Sequence, residues 1–319
     1  LTTPSTLAVL VPAYNEAEVI GEFHRRLAAV LDALPLRSRV LYVDDGSRDA
    51  TWDLIDALSR SDERVQALRL SRNFGKETAM TAGLDHMDAD AVVVIDADLQ
   101  DPPELIPALL ERAAQGYDVV YATRARRDGE TWFKRFTSAA FYRTMERLSH
   151  TPVPRDTGDF RLMNRRAVAA VNALRERQRF MKGLFAWIGY RQSSLVYDRD
   201  ARNAGTTKWN YWRLANLAIE GVTSFSTAPL RVASWLGFSA AFLAFLYAAW
   251  VFLKAMFWGD PVRGYPTLMV VILFLGGAQL LAIGLIGEYV GRTYAETKRR
   301  PLYYIEDKRG DVGDPPARD

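Results

Sequence analysis

The chain has 319 residues, 49% hydrophobic and 25% charged, a balance that suits one globular domain plus a further apolar part. The absence of cysteine excludes disulfides, thiolate metal sites and a cysteine nucleophile, and His24, His86 and His150 never fall at zinc-ligand spacing. A net charge of +3 does not imply a nucleic-acid partner, although basic residues gather between Arg124 and Arg213 and after Gly291, leaving local anionic partners open.

Leu1 to Ser5 lack the basic and apolar parts of a signal peptide, so the first domain is expected in the cytoplasm. Leu7 to Val11 reads as a short strand, followed by Pro12-Ala13-Tyr14-Asn15-Glu16. Val19, Ile20, Phe23, Leu27, Val30, Leu31 and Leu34 recur at spacings of three and four, the apolar face of a helix that Pro35 closes. A second strand, Val40 to Val43, ends in Asp44-Asp45-Gly46-Ser47, making a right-handed βαβ unit. Thr51 to Ser59 predicts another helix and Val65 to Leu70 another strand. Ser71 to Lys76 then leads into a small-residue helix through Met80 and Gly83.

Ala91 to Ile95 is an unbroken apolar run that reads as a strand buried on both faces. It ends in Asp96, Asp98 and Asp101, and Pro102-Pro103 open a helix over Glu104 to Gln115. A further strand from Tyr117 to Thr123 stops at Arg124. This alternation predicts an α/β, doubly wound, mostly parallel sheet that binds its ligand beyond the carboxyl ends of the strands. In extended chain Asp96 and Asp98 point to one side, and two hard oxygen donors there suit Mg²⁺ or Mn²⁺ carrying a diphosphate. A helix cap at Asp98 or Asp101 accounts for one carboxylate at most. The Asp44–Ser47 stretch reads equally as a turn with a cap, Glu16 as a first-turn acid and Lys76 as a solvated lysine.

Thr131 to Leu148 carries an aromatic side with interspersed cations, which suits a membrane interface or an ordinary surface helix. Arg155 to Met163 is a carboxylate-bearing loop running into a short strand, and Lys208 to Arg213 mixes aromatics with cations as at headgroup level. Val232 to Leu253 and Thr267 to Gly287 are each about 21 residues without a charge, enough to span a bilayer. Arginines and lysines flank the pair while the loop from Trp258 to Pro266 holds one Arg and one Asp, which puts both chain ends in the cytoplasm. The expected organisation is a catalytic domain over 1–205, interfacial helices over 206–230, a two-span domain over 231–291 and a tail over 292–319. Lys308 to Asp319 is polar and expected to be disordered. Gly276, Gly277, Gly284 and Gly287 hint at close packing between spans.

Val11 to Glu16, Val43 to Ser47, Asn73 to Lys76 and Asp96 to Pro103, in this order, resemble the motif series of inverting GT-A glycosyltransferases of family 2. Asp156-Thr157-Gly158-Asp159-Phe160-Arg161-Leu162-Met163 and the two apolar segments narrow this. With them the chain looks like the polyprenyl-phosphate glycosyltransferases, especially the bactoprenol (undecaprenyl-phosphate) glucosyltransferases of O-antigen modification. The resemblance implies a Rossmann-like GT-A domain that moves a hexose from a nucleotide diphosphate, most simply glucose from UDP-glucose, onto polyprenyl phosphate with a divalent metal. It also implies the bacterial inner membrane and a homo-oligomer. By the same resemblance Pro12, Ala13, Tyr14, Glu16 and Asp45 hold uracil and ribose, with Asp44 in support. Lys76 approaches the nucleotide or its phosphates, Asp96 and Asp98 hold the metal–diphosphate, Ala97 joins the nucleotide-sugar site, and Gln100 lies near the sugar or metal. Arg124 and Arg135 match the basic positions that hold the acceptor phosphate, and Asp156 or Asp159 serves as base or binds a sugar hydroxyl.

A phosphate monoester with its second pKa near about 6 is largely dianionic at neutral pH, so it needs charge compensation more than a general base. A processive polysaccharide synthase would carry Gln-x-x-Arg-Trp, which Gln178-Arg179-Phe180 does not match. A GDP-mannose-dependent mannose synthase and an inactive membrane scaffold are the competing readings.

Overall fold

Alternating apolar runs and amphipathic segments build, in chain order, β1 (Thr6–Ala13), α1 (Ile20–Asp32), β2 (Arg37–Asp44), α2 (Thr51–Ser61), β3 (Val65–Leu70), α3 (Lys76–Asp85) and β4 (Ala91–Val94). A 3-10 turn (Pro103–Leu105) leads into α4 (Ile106–Ala114) and β5 (Val119–Arg124). Then follow β6 (Thr157–Asn164), α5 (Arg165–Ala173), α6 (Met181–Trp187), β7 (Gln192–Tyr197), α7 (Tyr265–Thr297) and β8 (Ile305–Arg309). The structure, a computed structural model, describes residues 4–124, 157–177, 179–197 and 264–313, with isolated positions between 237 and 257. The chain divides into two units, Leu1–Leu214 with Arg300–Asp319, and Ala215–Arg299.

In the first unit an eight-stranded sheet runs in the order β7-β5-β6-β4-β1-β2-β3-β8. β1 is parallel to β2 and β4, β2 to β3, and β5 to β7, while β6 and β8 are antiparallel to their neighbours. The chain steps from β1 through β2 to β3, then returns to set β4 on the other flank of β1. That reversal is the switch point of a doubly wound sheet and opens a crevice past the carboxyl ends of β1 and β4. The mostly parallel α/β sheet predicted from the sequence is present, in a GT-A-like arrangement.

Both faces of the central strands are covered. Leu7, Val9 and Val11 of β1 belong to the same buried cluster as Ile20, Phe23, Leu27 and Leu31 of α1, each worth about 1.5–3 kcal/mol on burial. On the opposite face α3 lies so close to β1 that a Cβ on Gly83 would stand 2.1 Å from Leu10 Cδ1. The small residues of α3 are what permit that approach. The turn after β4 has no side-chain cap, so neither Asp98 nor Asp101 is used that way. Asp101 instead accepts a hydrogen bond from the Tyr197 hydroxyl.

The polar stretch from Lys308, expected to be disordered, differs from that expectation. Lys308 and Arg309 lie in β8, which pairs antiparallel with β3 and closes that edge of the sheet. Its hold is polar, which is why no apolar pattern announced it. Arg309 Nε lies 2.5 Å from Asp56 Oδ1, Glu306 faces Arg69 at 3.4 Å, and Trp52 has both Arg69 and Arg309 over its ring.

In the second unit, α7 has 33 residues and reaches about 50 Å at ~1.5 Å each, longer than the hydrocarbon layer of a bilayer. Among the described residues its Phe274–Thr297 stretch is the one helical segment long and apolar enough to cross a membrane. Leu280, Ile283 and Val290 are exposed along it. The earlier apolar segment, Val232 to Leu253, lies for the most part outside the described residues. The Thr131–Leu148 segment and residues 206–230 lie outside them entirely.

Candidate functional site

The loops that leave β1 and β2 are laced together. Asn15, in the left-handed region at φ +55°, donates its N–H to Ser47 Oγ at 2.9 Å and accepts the Arg48 N–H on its own Oδ1 at 2.9 Å. The Glu16 N–H donates to Thr51 Oγ1 at 2.9 Å. The two adjacent aspartates therefore do different work. Asp44 is fully buried, accepts the Ser47 N–H at 3.1 Å and lies 3.5 Å from Arg69 Nε. Burial raises its pKa against the pull of Ser47 and Arg69. Asp45 reaches across to the loop after β3 and accepts the Phe74 and Gly75 N–H groups at 2.7 and 2.9 Å. Burial raises its pKa too, and those amides hold it back.

Ile95 N–H donates to Leu10 O at 3.0 Å, continuing the β1–β4 register past Val94 and bringing Asp96 level with Pro12. Beyond it the chain turns sharply: Leu99 has φ +58°, an uncommon conformation for a bulky residue, and the Gln100 N–H closes onto Asp98 Oδ1 at 3.1 Å. Lys76, the first residue of α3, donates to Asp96 Oδ2 at 2.7 Å and also to Asp159 at the start of β6. Burial opposes the charge on Lys76, but Asp96 and Asp159 outweigh it and raise its pKa. Burial pushes Asp96 up to about 6 despite Lys76, with Asp159 and Asp98 adding to the rise. Burial also works against the Asp159 carboxylate, yet Lys76, Lys182 and Arg161 bring its pKa down to about 2.

These groups meet in a cleft of about 440 Å³ at the switch point, a volume suited to a small ligand. Pro12, Ala13, Tyr14, Glu16 and Asp45 line one part of it. Lys76, Asp96, Ala97 and Asp98 line the other. Asp44 and Gln100, both buried, are not among its walls; Asp44 stands behind the turn, and Gln100 meets Asp98 through its backbone N–H. Asp159 joins the cleft through Lys76. Arg124 ends β5, its side chain outside the described residues, and Arg135 and Asp156 lie outside them altogether.

Asn73, Gly75 and Ala79 also line the cleft, although the sequence singled them out only as part of a motif or a small-residue helix. Glu77, Arg161 and Lys182 form a charged layer near Asp159 that the sequence did not announce. Arg161 was the available signal, a cation in the middle of an apolar strand. It is 3% exposed, donates to the backbone oxygens of Gly158 and Asp159, and stacks 3.8 Å from the Phe185 ring centre.

Among the described residues no three His, Cys, Asp or Glu side chains cluster in a metal-holding group. The donor set nonetheless fits a divalent cation that completes its shell from a ligand. Asp96 Oδ1 is buried without a hydrogen-bond partner, and Asp98 offers a second carboxylate in the same cleft.

Comparison with known proteins matches residues 8–171 to the family "Glycosyl transferase family 2" and residues 228–293 to the "GtrB C-terminal hairpin". A glycosyltransferase of Synechocystis sp., itself uncharacterised, is 49% identical over 95% of this chain and 96% of its own length. The bactoprenol glucosyl transferase of Shigella phage SfV is 46% identical over 95% of this chain and 99% of its own. A prophage bactoprenol glucosyl transferase homolog of Escherichia coli K12 is 45% identical over 94% of this chain and 98% of its own. With a family model covering half the chain and relatives this similar along nearly all of it, the protein belongs to glycosyl transferase family 2.

Proposed function

We propose that the protein transfers glucose from UDP-glucose to bactoprenol (undecaprenyl) phosphate, with inversion at the anomeric carbon, at the cytoplasmic face of the bacterial inner membrane. The observation that carries this reading is the pair Asp96 and Asp98 at one end of a nucleotide-sized cleft, with Lys76 bridging from Asp96 to Asp159. Near full-length similarity to proteins named bactoprenol glucosyl transferases supports the donor and acceptor.

In this scheme Pro12, Ala13, Tyr14, Glu16 and Asp45 hold the base and ribose, and Asp44 keeps their turn in shape. Asp96 and Asp98 would hold Mg²⁺ or Mn²⁺, whose bound form supplies a Lewis acid for the leaving diphosphate. Lys76 brings a fixed positive charge to the place where that diphosphate gathers charge. Asp159, held ionised, accepts a hydrogen bond from a sugar hydroxyl. Arg124, Arg135 and Asp156 complete the acceptor side by resemblance.

Labelled UDP-glucose and polyprenyl phosphate in vesicles yield a chloroform-soluble labelled lipid, lost on Asp98→Asn and on chelation of divalent cations. Full activity in D98N overturns the metal assignment, and labelling from GDP-mannose alone overturns the donor. The proposed topology has two spans, Val232–Leu253 and the Thr267–Gly287 part of α7, with residues 258–266 outside and cations from Arg292 to Arg300 inside. The chain contains no cysteine, so a single cysteine at Pro261 or Gly310 reports sidedness to an impermeant maleimide. Homo-oligomerisation is part of the same proposal, and crosslinking in native membranes tests it.

A further inference from the structure

Helix α6 is pinned by its neighbours on two sides. The Met181 N–H donates to Glu77 Oε2 of α3 at 3.1 Å, and the Phe185 ring lies under Arg161 of β6. Lys182 sits between these anchors, half-buried, in the layer that holds Asp159. The two cations nearest it in this layer are engaged. Lys76 bridges Asp96 and Asp159, and Arg161 is spent on two backbone oxygens and a ring. Lys182, by contrast, makes no hydrogen bond or ion pair among the described residues.

Holding an ammonium group half out of water without a contacting carboxylate is costly unless an anion arrives to meet it. Burial depresses its pKa, Asp159 counters that, and Arg161 and Lys76 deepen it. Nor is Lys182 part of the wall that surrounds the nucleotide end of the cleft, where Lys76 already faces the diphosphate side. Resting on the transfer proposed above, we infer that Lys182 binds the phosphate of the lipid acceptor, on the Asp159 side of the site. A phosphate monoester entering beside Asp159, Asp96 and Asp98 meets strong repulsion, and Lys182 supplies a cation that no hydrogen bond or close ion pair among the described residues yet holds.

The test separates the two phosphate-bearing substrates. In Lys182→Met, KM for polyprenyl phosphate rises about 10- to 100-fold, the loss expected for one charge-assisted hydrogen bond. Kd for UDP by calorimetry stays within about twofold of wild type on the same scale. Lys182→Arg keeps an acceptor KM near wild type, whereas Lys182→Gln matches Met, so the comparison survives a poorly folding Met variant. An unchanged acceptor KM in both Met and Gln, or a UDP Kd that weakens in step with it, overturns the inference. A wild-type protein that labels no lipid overturns the transfer reading as well, whereas wild-type labelling with a normal K182M acceptor KM overturns this inference alone.

Discussion

Gly46→Ala is expected to damage nucleotide binding from outside the cleft. Gly46 has φ +67°, where an alanine costs about 1–2 kcal/mol. A Cβ there would stand 2.6 Å from Arg72 C and 2.8 Å from Asn73 N, both backbone atoms that no rotamer change can move aside. Relief requires shifting that loop, at about 1–3 kcal/mol for overpacking. The same loop carries the Phe74 and Gly75 amides that bind Asp45 at 2.7 and 2.9 Å, and losing one such bond to a charged group costs about 1.5–3 kcal/mol. If half of that appears in affinity, Kd for UDP rises about 4- to 12-fold, since ~1.4 kcal/mol is a factor of ten. Calorimetry with UDP and a thermal melt of the detergent-solubilised protein measure both effects. Gly21→Ala is the control, because a Cβ on that helical glycine meets nothing within 4 Å and alanine there gains up to about 1 kcal/mol. Wild-type UDP affinity and melting in G46A would refute the argument that this turn shapes the cleft.

Glu77 gives a pH signature. Burial raises its pKa from 4.5 to about 7, with Asp159 adding and Lys76 opposing. The folded chain thus keeps a proton that the unfolded chain releases near 4.5, so stability falls as pH rises through about 4.5 to 7, by up to ~3 kcal/mol. Glu77→Gln keeps an acceptor for the Met181 N–H and removes that slope; melts of E77Q and wild type that run parallel across this range count against the reasoning. Arg309→Ala removes the 2.5 Å contact with Asp56 and one cation over Trp52. Denaturation should show a loss of about 1–3 kcal/mol with UDP affinity unchanged, and an altered Kd would contradict a purely edge-holding role.

The sheet was readable because β1, β2 and β4 are continuous apolar runs that end abruptly in polar residues. The positions of Asp96 and Asp98 followed from those endings. The division of labour between Asp44 and Asp45 was not readable, since adjacent carboxylates look alike until one is seen buried behind a turn and the other holding the Phe74 and Gly75 amides. Lys76 and Asp159 are 83 residues apart, and only the antiparallel placement of β6 beside β4 brings them into contact. Glu77 and Lys182 escaped for a related reason: each is an ordinary surface-type residue locally and meets its surroundings only when α6 docks, whereas Arg161, a cation inside an apolar strand, was the one signal of that layer. β8 was hidden because its attachment is ionic and hydrogen-bonded rather than apolar.

That last strand has a bearing on how the protein is made. The partner of β3 is encoded after α7, so during synthesis the β3 edge stands bare until residues 305–309 leave the ribosome. At ~5–20 residues per second the wait is on the order of 10–50 s, long compared with the formation of helices and hairpins. A nascent chain stalled or cleaved before α7 would display an open edge ready to pair with another copy. Joining residues 300–313 behind β7 needs an added linker long enough to cross the whole sheet, about 34 Å for its seven strand spacings, and would give a catalytic unit with its rim already sealed.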